Sequence, residues 1–264
     1  MDIRLTGRAA IVTGGSKGLG LAMAKRFAAS GADVAILART QSTLDAARAE
    51  ILAAAPGRRV AAIACDVSRA DEIARAHAAA MAELGRIDIV VNNAGTSRTG
   101  AFESITDEIW QEDLDLKLFA AIRLTRLVWP QLRERRWGRV INVLNIGAKA
   151  PRAGGCPTVV SRAAGMALTK VLAGEGAPHG ILVNALLVGL IATDQVARAH
   201  AGLVAKGQNL TLEEHMAKVG APVPLGRMGR AEEFANMACF LASDAGGYIT
   251  GTAINVDGGM SPVV

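Results

Sequence analysis

Seven short runs in this chain are almost wholly apolar, and most of them are followed by a longer helical pattern. They read "AAIVTG" (9–14), "DVAILAR" (33–39), "RVAAIACDV" (59–67), "IDIVVNNAG" (87–95), "GRVINVL" (138–144), "ILVNALLV" (181–188) and "GTAINVD" (251–257). A strand with one wet face alternates apolar and polar residues. These runs do not alternate, so as strands they need cover on both faces. Helical patterns lie between them: from about Gly18 to Ser30, through Glu50, over 69–84, 107–135, 158–176 and 230–242. The long 107–135 stretch has a break near its start. Strand–helix alternation at this spacing predicts a single α/β domain, a doubly wound parallel sheet with right-handed crossovers and helices on both faces.

The chain has 264 residues, 51% of them apolar, enough to bury one sizeable core. Aromatics make up 3% while Ala and Gly abound, so helices can lie close against the sheet. One domain over 1–264 accounts for the whole chain, with no repeat or long linker. The least regular part, 193–228, is expected to cross the C-terminal edge of the sheet as a substrate lid.

The formal net charge is +5, which suits an anionic cofactor. The densest basic group is "RERRWGR" (133–139), with Trp137 as the one aromatic among its charges. That is a solvated helix end rather than a nucleic-acid face, and no nucleic-acid partner is expected. The longest nearly apolar run, "ILVNALLVGLIAT" (181–193), is too short and interrupted to span a bilayer, so no membrane partner is expected either. Cys65, Cys156 and Cys239 are odd in number and far apart, with neither metal nor disulfide spacing. That usage, and a strand pattern that begins almost at the N-terminus, point to a cytoplasmic protein without a signal peptide.

The first run leads straight into "TGGSKGLG" (13–20). Glycines at 14, 18 and 20 let the backbone turn sharply and approach a pyrophosphate, and the helix that follows aims its N-terminal N–H groups there. The strand before and the helix after are the context that gives such a tract meaning. The spacing resembles the Thr-Gly-x-x-x-Gly-x-Gly of the short-chain dehydrogenase/reductase family. "CDV" (65–67), "NNAG" (92–95), "ILVNALLVGLIAT" and the tail "PLGRMGRAEEFANMACFLASDAGGYITGTAINVDGG" resemble further motifs of that family, in order along nearly the whole chain. The resemblance implies a Rossmann-type fold. It also implies a dinucleotide held by Gly14, Ser16, Lys17, Gly18, Leu19, Gly20, Arg39, Asp66, Val67, Asn93, Ala94, Gly95, Arg162, Gly189 and Thr193.

Cofactor choice is written at the end of the second strand. An NAD enzyme usually places an acid there to hold the ribose hydroxyls. Here the position is Ala38, followed by Arg39, and Lys17 sits inside the glycine loop. Two cations and no acid favour NADP(H) over NAD(H).

In the family, the resemblance implies, a tyrosine exchanges a proton with the substrate, and a lysine four residues later lowers its pKa and holds the ribose. A serine positions the carbonyl oxygen, and an asparagine anchors a water chain. A carbonyl receiving hydride develops negative charge on oxygen, so a donor must stand beside it. This chain departs at all four places. Thr158 takes the tyrosine's, Arg162 the lysine's, Asn145 the serine's and Lys117 the asparagine's, while Ser161 keeps the register. Tyr248, the one tyrosine in the chain, lies in the C-terminal motif. Asn145 offers an N–H donor. The Thr158 hydroxyl is aliphatic and short. Arg162 stays charged and cannot shuttle a proton. Lys117, if it turns inward beside Arg162, would have a lowered pKa and could act as general acid or base. Lys149 and Cys156, in the loop at the substrate mouth, and His200 and His215, in the lid, are weaker candidates. His179 is expected to be structural. No metal cluster is visible.

The expected function is an NADP(H)-dependent oxidoreductase acting on a carbonyl or alcohol with a non-standard proton donor. The cations at 117 and 162 suit an anionic small-molecule substrate. The rival readings are a catalytically idle NADP(H)-binding or scaffolding protein, and a lyase or isomerase on the same fold. The resemblance also implies a homo-oligomer, a tetramer built through the two long central helices and the C-terminal strand.

Overall fold

The computed structural model describes residues 3–264; the side chains of residues 194, 195 and 198 lie outside that description. The apolar runs are strands: β1 (Ala9–Thr13), β2 (Asp33–Ala38), β3 (Val60–Ala64) and β4 (Ile89–Asn92). Between them lie α1 (Gly18–Ala29), α2 (Gln41–Ala54) and α3 (Ala70–Leu84). The two-residue β5 (Thr99–Gly100) is followed by α4 (Asp107–Leu114) and α5 (Ala120–Arg135), then β6 (Gly138–Asn145). The two-residue β7 (Cys156–Pro157) leads into α6 (Thr158–Gly176), which is followed by β8 (Ile181–Val188). The C-terminal part comprises β9 (Ile191–Ala192), α7 (Asp194–Ala205), α8 (Leu212–Gly220), β10 (Gly229–Arg230), α9 (Ala231–Ala242) and β11 (Ala253–Val256).

The main sheet has seven strands in the order β11-β8-β6-β4-β1-β2-β3, every pair parallel. Successive strand residues feed opposite layers, as strand geometry requires. Val12, Ile36, Val91 and Leu186 pack with Met23 and Phe27 of α1, Leu44 and Ile51 of α2, and Phe234 of α9. Ile11, Leu37, Val90 and Val183 pack with Ile73 of α3 and Leu124, Val128 and Leu132 of α5. Both faces are therefore covered, which is why the strands carry no polar alternation. The order reverses between β1 and β4, and at such a switch point the loops part and leave a crevice at the strands' C-terminal ends.

Several expected boundaries change, and four of the changes are the largest. β3 stops at Ala64 and β4 at Asn92, because the motifs Cys65–Val67 and Asn93–Gly95 turn out of the sheet to wall the crevice. α2 continues past Glu50 to Ala54. The 107–135 helix is broken not near its start but at Asp115–Phe119, a π-helical turn between α4 and α5. The 193–228 region carries two helices, α7 and α8; Thr211 caps α8 reciprocally with Glu214. Among the described residues no helix is long and apolar enough to cross a membrane.

Candidate active site

A cleft of about 870 Å³ runs along the C-terminal ends of the strands. Its size is in the range of small-molecule and cofactor sites. All fifteen positions expected to hold a dinucleotide line it. The glycine loop forms its floor. A Cβ on Gly20 would stand 2.1 Å from the Gly14 carbonyl oxygen and 2.7 Å from Asn93 Nδ2, so only a backbone without side chain fits there. Asn93 works from beneath the loop: its Nδ2 donates to Thr13 O at 2.9 Å and Gly14 O at 3.3 Å. Thr13 Oγ1 in turn accepts from the N–H groups of Asn93 and Ala94. β1 and β4 are thus clamped at the switch point, and the N-terminus of α1 is held open to an anion.

One end of the cleft is basic. Lys17, Arg39, Thr40 and Thr43 line it around the end of β2, where Ala38 takes the place of an acid. At Asp66, Oδ1 accepts from the backbone N–H and the hydroxyl of Ser68, which orients the turn after β3. Gly189 and Thr193, after β8, also line the cleft, and Asn145 at the end of β6 lies beside Val188 in the sheet. Asn145 Oδ1 is buried without a hydrogen-bond partner.

Arg162, on the first turns of α6, crosses the cleft wall. Its Nη1 donates to Val143 O at 2.6 Å, and its Nε is buried without a partner. A Cβ on Gly95 would lie 3.0 Å from Arg162 Nη2, so the guanidinium comes close against that glycine. Burial pulls the Arg162 guanidinium down to about 10, opposed by Asp113, and it remains a cation at neutral pH. Arg162 also separates the cleft from an inner pocket of about 10 Å³, room for about one water. Asn92, Lys117, Asn142 and Ser161 line that pocket.

Lys117 does point inward, but it lines the inner pocket rather than the cleft. It lies in the π-helical turn with its side chain 3% exposed. Its ammonium donates to Asp113 Oδ1 and, at 2.7 Å, to Thr158 Oγ1. Its pKa is lowered, first by burial and then by Arg162 and Arg98; Asp113 pushes the other way. The neighbouring cation expected to lower it is therefore the lesser cause. Thr158 lines the cleft but is only 1% exposed. Its hydroxyl accepts from Lys117 and from Arg98 N at 2.9 Å, and donates to Arg98 O at 2.7 Å. In this arrangement its bonding capacity is spent on the protein. Ser161 Oγ donates to Asp113 Oδ2 at 2.6 Å.

The weaker candidates stand apart. Neither Lys149 nor Cys156 lines the cleft. His200 and His215 face each other with ring centroids 5.8 Å apart, joining α7 to α8, and His200 Nε2 is 2.7 Å from Leu210 O. His179 is half-buried in a turn before β8. Among the described residues no group of His, Cys, Asp and Glu could hold a metal. Trp137 is taken up by Arg8 and Arg139, whose guanidiniums lie 3.7 and 4.2 Å from its ring centroid. The residue that sequence reasoning missed is Asp113. Its signal was the i, i+4 spacing to Lys117, which sets two helical side chains on one face.

The geometry has counterparts among known proteins. The family model described as enoyl-(acyl carrier protein) reductase matches residues 14–261. The short-chain reductase protein NovJ of Streptomyces niveus is 36% identical over 250 residues, covering 95% of this chain and 92% of that protein. The L-sorbose reductase of Gluconobacter frateurii, solved with NADPH and L-sorbose, superposes with a TM-score of 0.94 at 33% identity over 100% of both chains. A short-chain oxidoreductase of Pseudomonas aeruginosa PAO1, described as containing an atypical catalytic centre, superposes with a TM-score of 0.91 at 35% identity, covering 99% of this chain and 100% of that one.

Proposed function

This chain belongs to the short-chain dehydrogenase/reductase family, and we propose that it is an NADP(H)-dependent oxidoreductase that interconverts a carbonyl and an alcohol with an altered proton-handling group. One observation carries the reading. A single cleft joins the glycine loop and the cations Lys17 and Arg39 to Asn145, Thr158 and Arg162. A family member solved with NADPH has the same fold, which supports the choice of cofactor.

The cradle at Gly14 and Gly20, which a side chain would fill, fits a pyrophosphate. Lys17 and Arg39 would take a 2′-phosphate. Asp66 and Val67 would meet the adenine, Asn93 to Gly95 and Arg162 the ribose, and Gly189 and Thr193 the nicotinamide. The bound dinucleotide supplies or accepts the hydride. Asn145 would orient the substrate oxygen through its amide N–H. Lys117 would hold the proton, with the Thr158 hydroxyl between it and the cleft. Arg162 would attract an anionic carbonyl substrate. The chain would work in the cytoplasm, in keeping with its cysteine usage, and as a homotetramer, as the family resemblance implies.

A second reading has its own support. The Thr158 hydroxyl is fully engaged and Lys117 is tied to Asp113, as in an idle NADP(H)-binding protein. NADPH should raise the melting temperature under either reading. The oxidoreductase alone consumes NADPH against a panel of carbonyl compounds, above a heat-killed control. In that assay Lys117→Met should abolish turnover with NADPH affinity nearly intact. Unchanged turnover would remove Lys117 from its role.

A further inference from the structure

We infer that Asp113 is the positioning residue of this site: its carboxylate binds α6 and the Lys117 ammonium together, keeping Lys117 a hydrogen-bond donor to Thr158. The inference concerns a residue to which the family motifs give no role. Its link to turnover rests on the Lys117 reading above, but its link to Lys117 itself does not.

The carboxylate is 2% exposed and both its oxygens are engaged. Oδ1 accepts from Lys117 Nζ, and Thr158 Oγ1 lies 3.5 Å from it. Oδ2 accepts from Ser161 Oγ at 2.6 Å. One anion therefore joins α4 and the π-helical turn to two residues of α6. The charged groups that act on Lys117 are Asp113 on its own helix, Arg162 on α6 and Arg98 after β4, and Arg98 is itself paired with Glu112 at the exposed rim. Both arginines disfavour an ammonium, and so does burial. Asp113 is the group that favours it.

The consequence is the direction of one hydrogen bond. An ammonium donates to Thr158 Oγ1. A neutral amine has a lone pair and can accept from it instead. Without Asp113, a lysine this buried beside two guanidiniums would surrender its proton more readily, since burial and like charge both favour the neutral form.

The test uses the whole protein with its lysines labelled at the ε carbon and followed by NMR through a pH titration. There are seven lysines, and the Lys117 resonance is identified by its loss in Lys117→Met. In wild type it titrates below the ordinary lysine value. In Asp113→Asn its midpoint falls further, by about one pH unit or more, a tenfold change in proton affinity. Asp113→Glu brings it back toward the wild-type midpoint. A Lys117 midpoint in Asp113→Asn equal to wild type overturns the inference. Should Asp113→Asn not fold, Ser161→Ala decides. It keeps the carboxylate but removes a donor, which concentrates charge on Lys117 and moves the midpoint up. No movement, or movement down, overturns the inference. Turnover separates this from the Lys117 reading. A general acid is active while protonated, so the alkaline limb of kcat in Asp113→Asn should move to lower pH along with the NMR midpoint. If the midpoint moves and the limb does not, the role of Lys117 in turnover falls and the role of Asp113 stands.

Discussion

Replacing Lys117 by methionine removes an ammonium but leaves the Asp113 carboxylate where it is, 2% exposed, with Ser161 Oγ as its remaining close donor. Breaking one side of a buried ion pair costs about 3–5 kcal/mol, because a charge is left in a medium that solvates it poorly. For a domain of this size each kcal/mol lowers Tm by about 2–4 °C, so the loss should be about 6–20 °C. Lys25→Met is the control. Its partner is Glu50 at 3.2 Å, with side chains 40% and 55% exposed, and such a surface pair contributes about 0–1 kcal/mol. Lys117→Met with Asp113→Leu removes both charges and should recover most of the loss, since replacing a whole buried pair by apolar groups is often neutral. Urea unfolding of wild type, Lys117→Met, Asp113→Leu and the double variant measures the cycle. Two results would refute the reasoning: a Lys117→Met loss no larger than that of Lys25→Met, or a double variant as unstable as the sum of its singles. Turnover of Lys117→Met should be assayed well below its lowered Tm.

Three further outcomes concern the cofactor cleft and the start of α9. Arg39→Asp removes a cation from the basic end of the cleft and supplies the acid that Ala38 lacks; NADPH affinity by calorimetry should fall by about 10- to 100-fold, the worth of one charge-assisted hydrogen bond, while NADH affinity rises. Gly20→Ala drives a Cβ to 2.1 Å from the Gly14 oxygen, so it should cost about 1–3 kcal/mol by overpacking and abolish the NADPH-dependent rise in Tm. Glu233, held by Arg227 and the Arg230 backbone N–H at the start of α9, has its carboxyl lowered to about 2. A depressed carboxyl stabilises above its unfolded pKa and loses that effect as pH falls through the folded value. The Tm gap between wild type and Glu233→Gln should therefore be full above pH 4.5 and close as pH falls toward about 2. A gap that widens on acidification would contradict the assignment.

The cofactor half was legible because its requirements are local. A strand, a glycine tract and a helix occupy adjacent positions, so the loop at 13–20 declares itself in one stretch of sequence. The substitutions at 117, 145, 158 and 162 were legible because neighbouring motifs hold the register. What those side chains do was not legible. Lys117 and Thr158 are 41 residues apart in sequence and 2.7 Å apart in space, and Asp113 meets Ser161 across 48 residues. Spacing along the chain carries no record of such contacts. The break in the 107–135 stretch was expected nearer its start, since a single π turn is a small departure from the surrounding helical pattern.

The sequence by itself determined the layered parallel sheet, the position of the dinucleotide cleft and the absence of an acid after β2. Those follow from strand burial and backbone geometry, which short stretches encode. Only the tertiary structure decided that Arg162 walls the cleft, that Lys117 faces an inner pocket and that Asp113 holds it. A buried charge takes its state from the charges and hydrogen-bond donors that folding brings within a few ångströms of it.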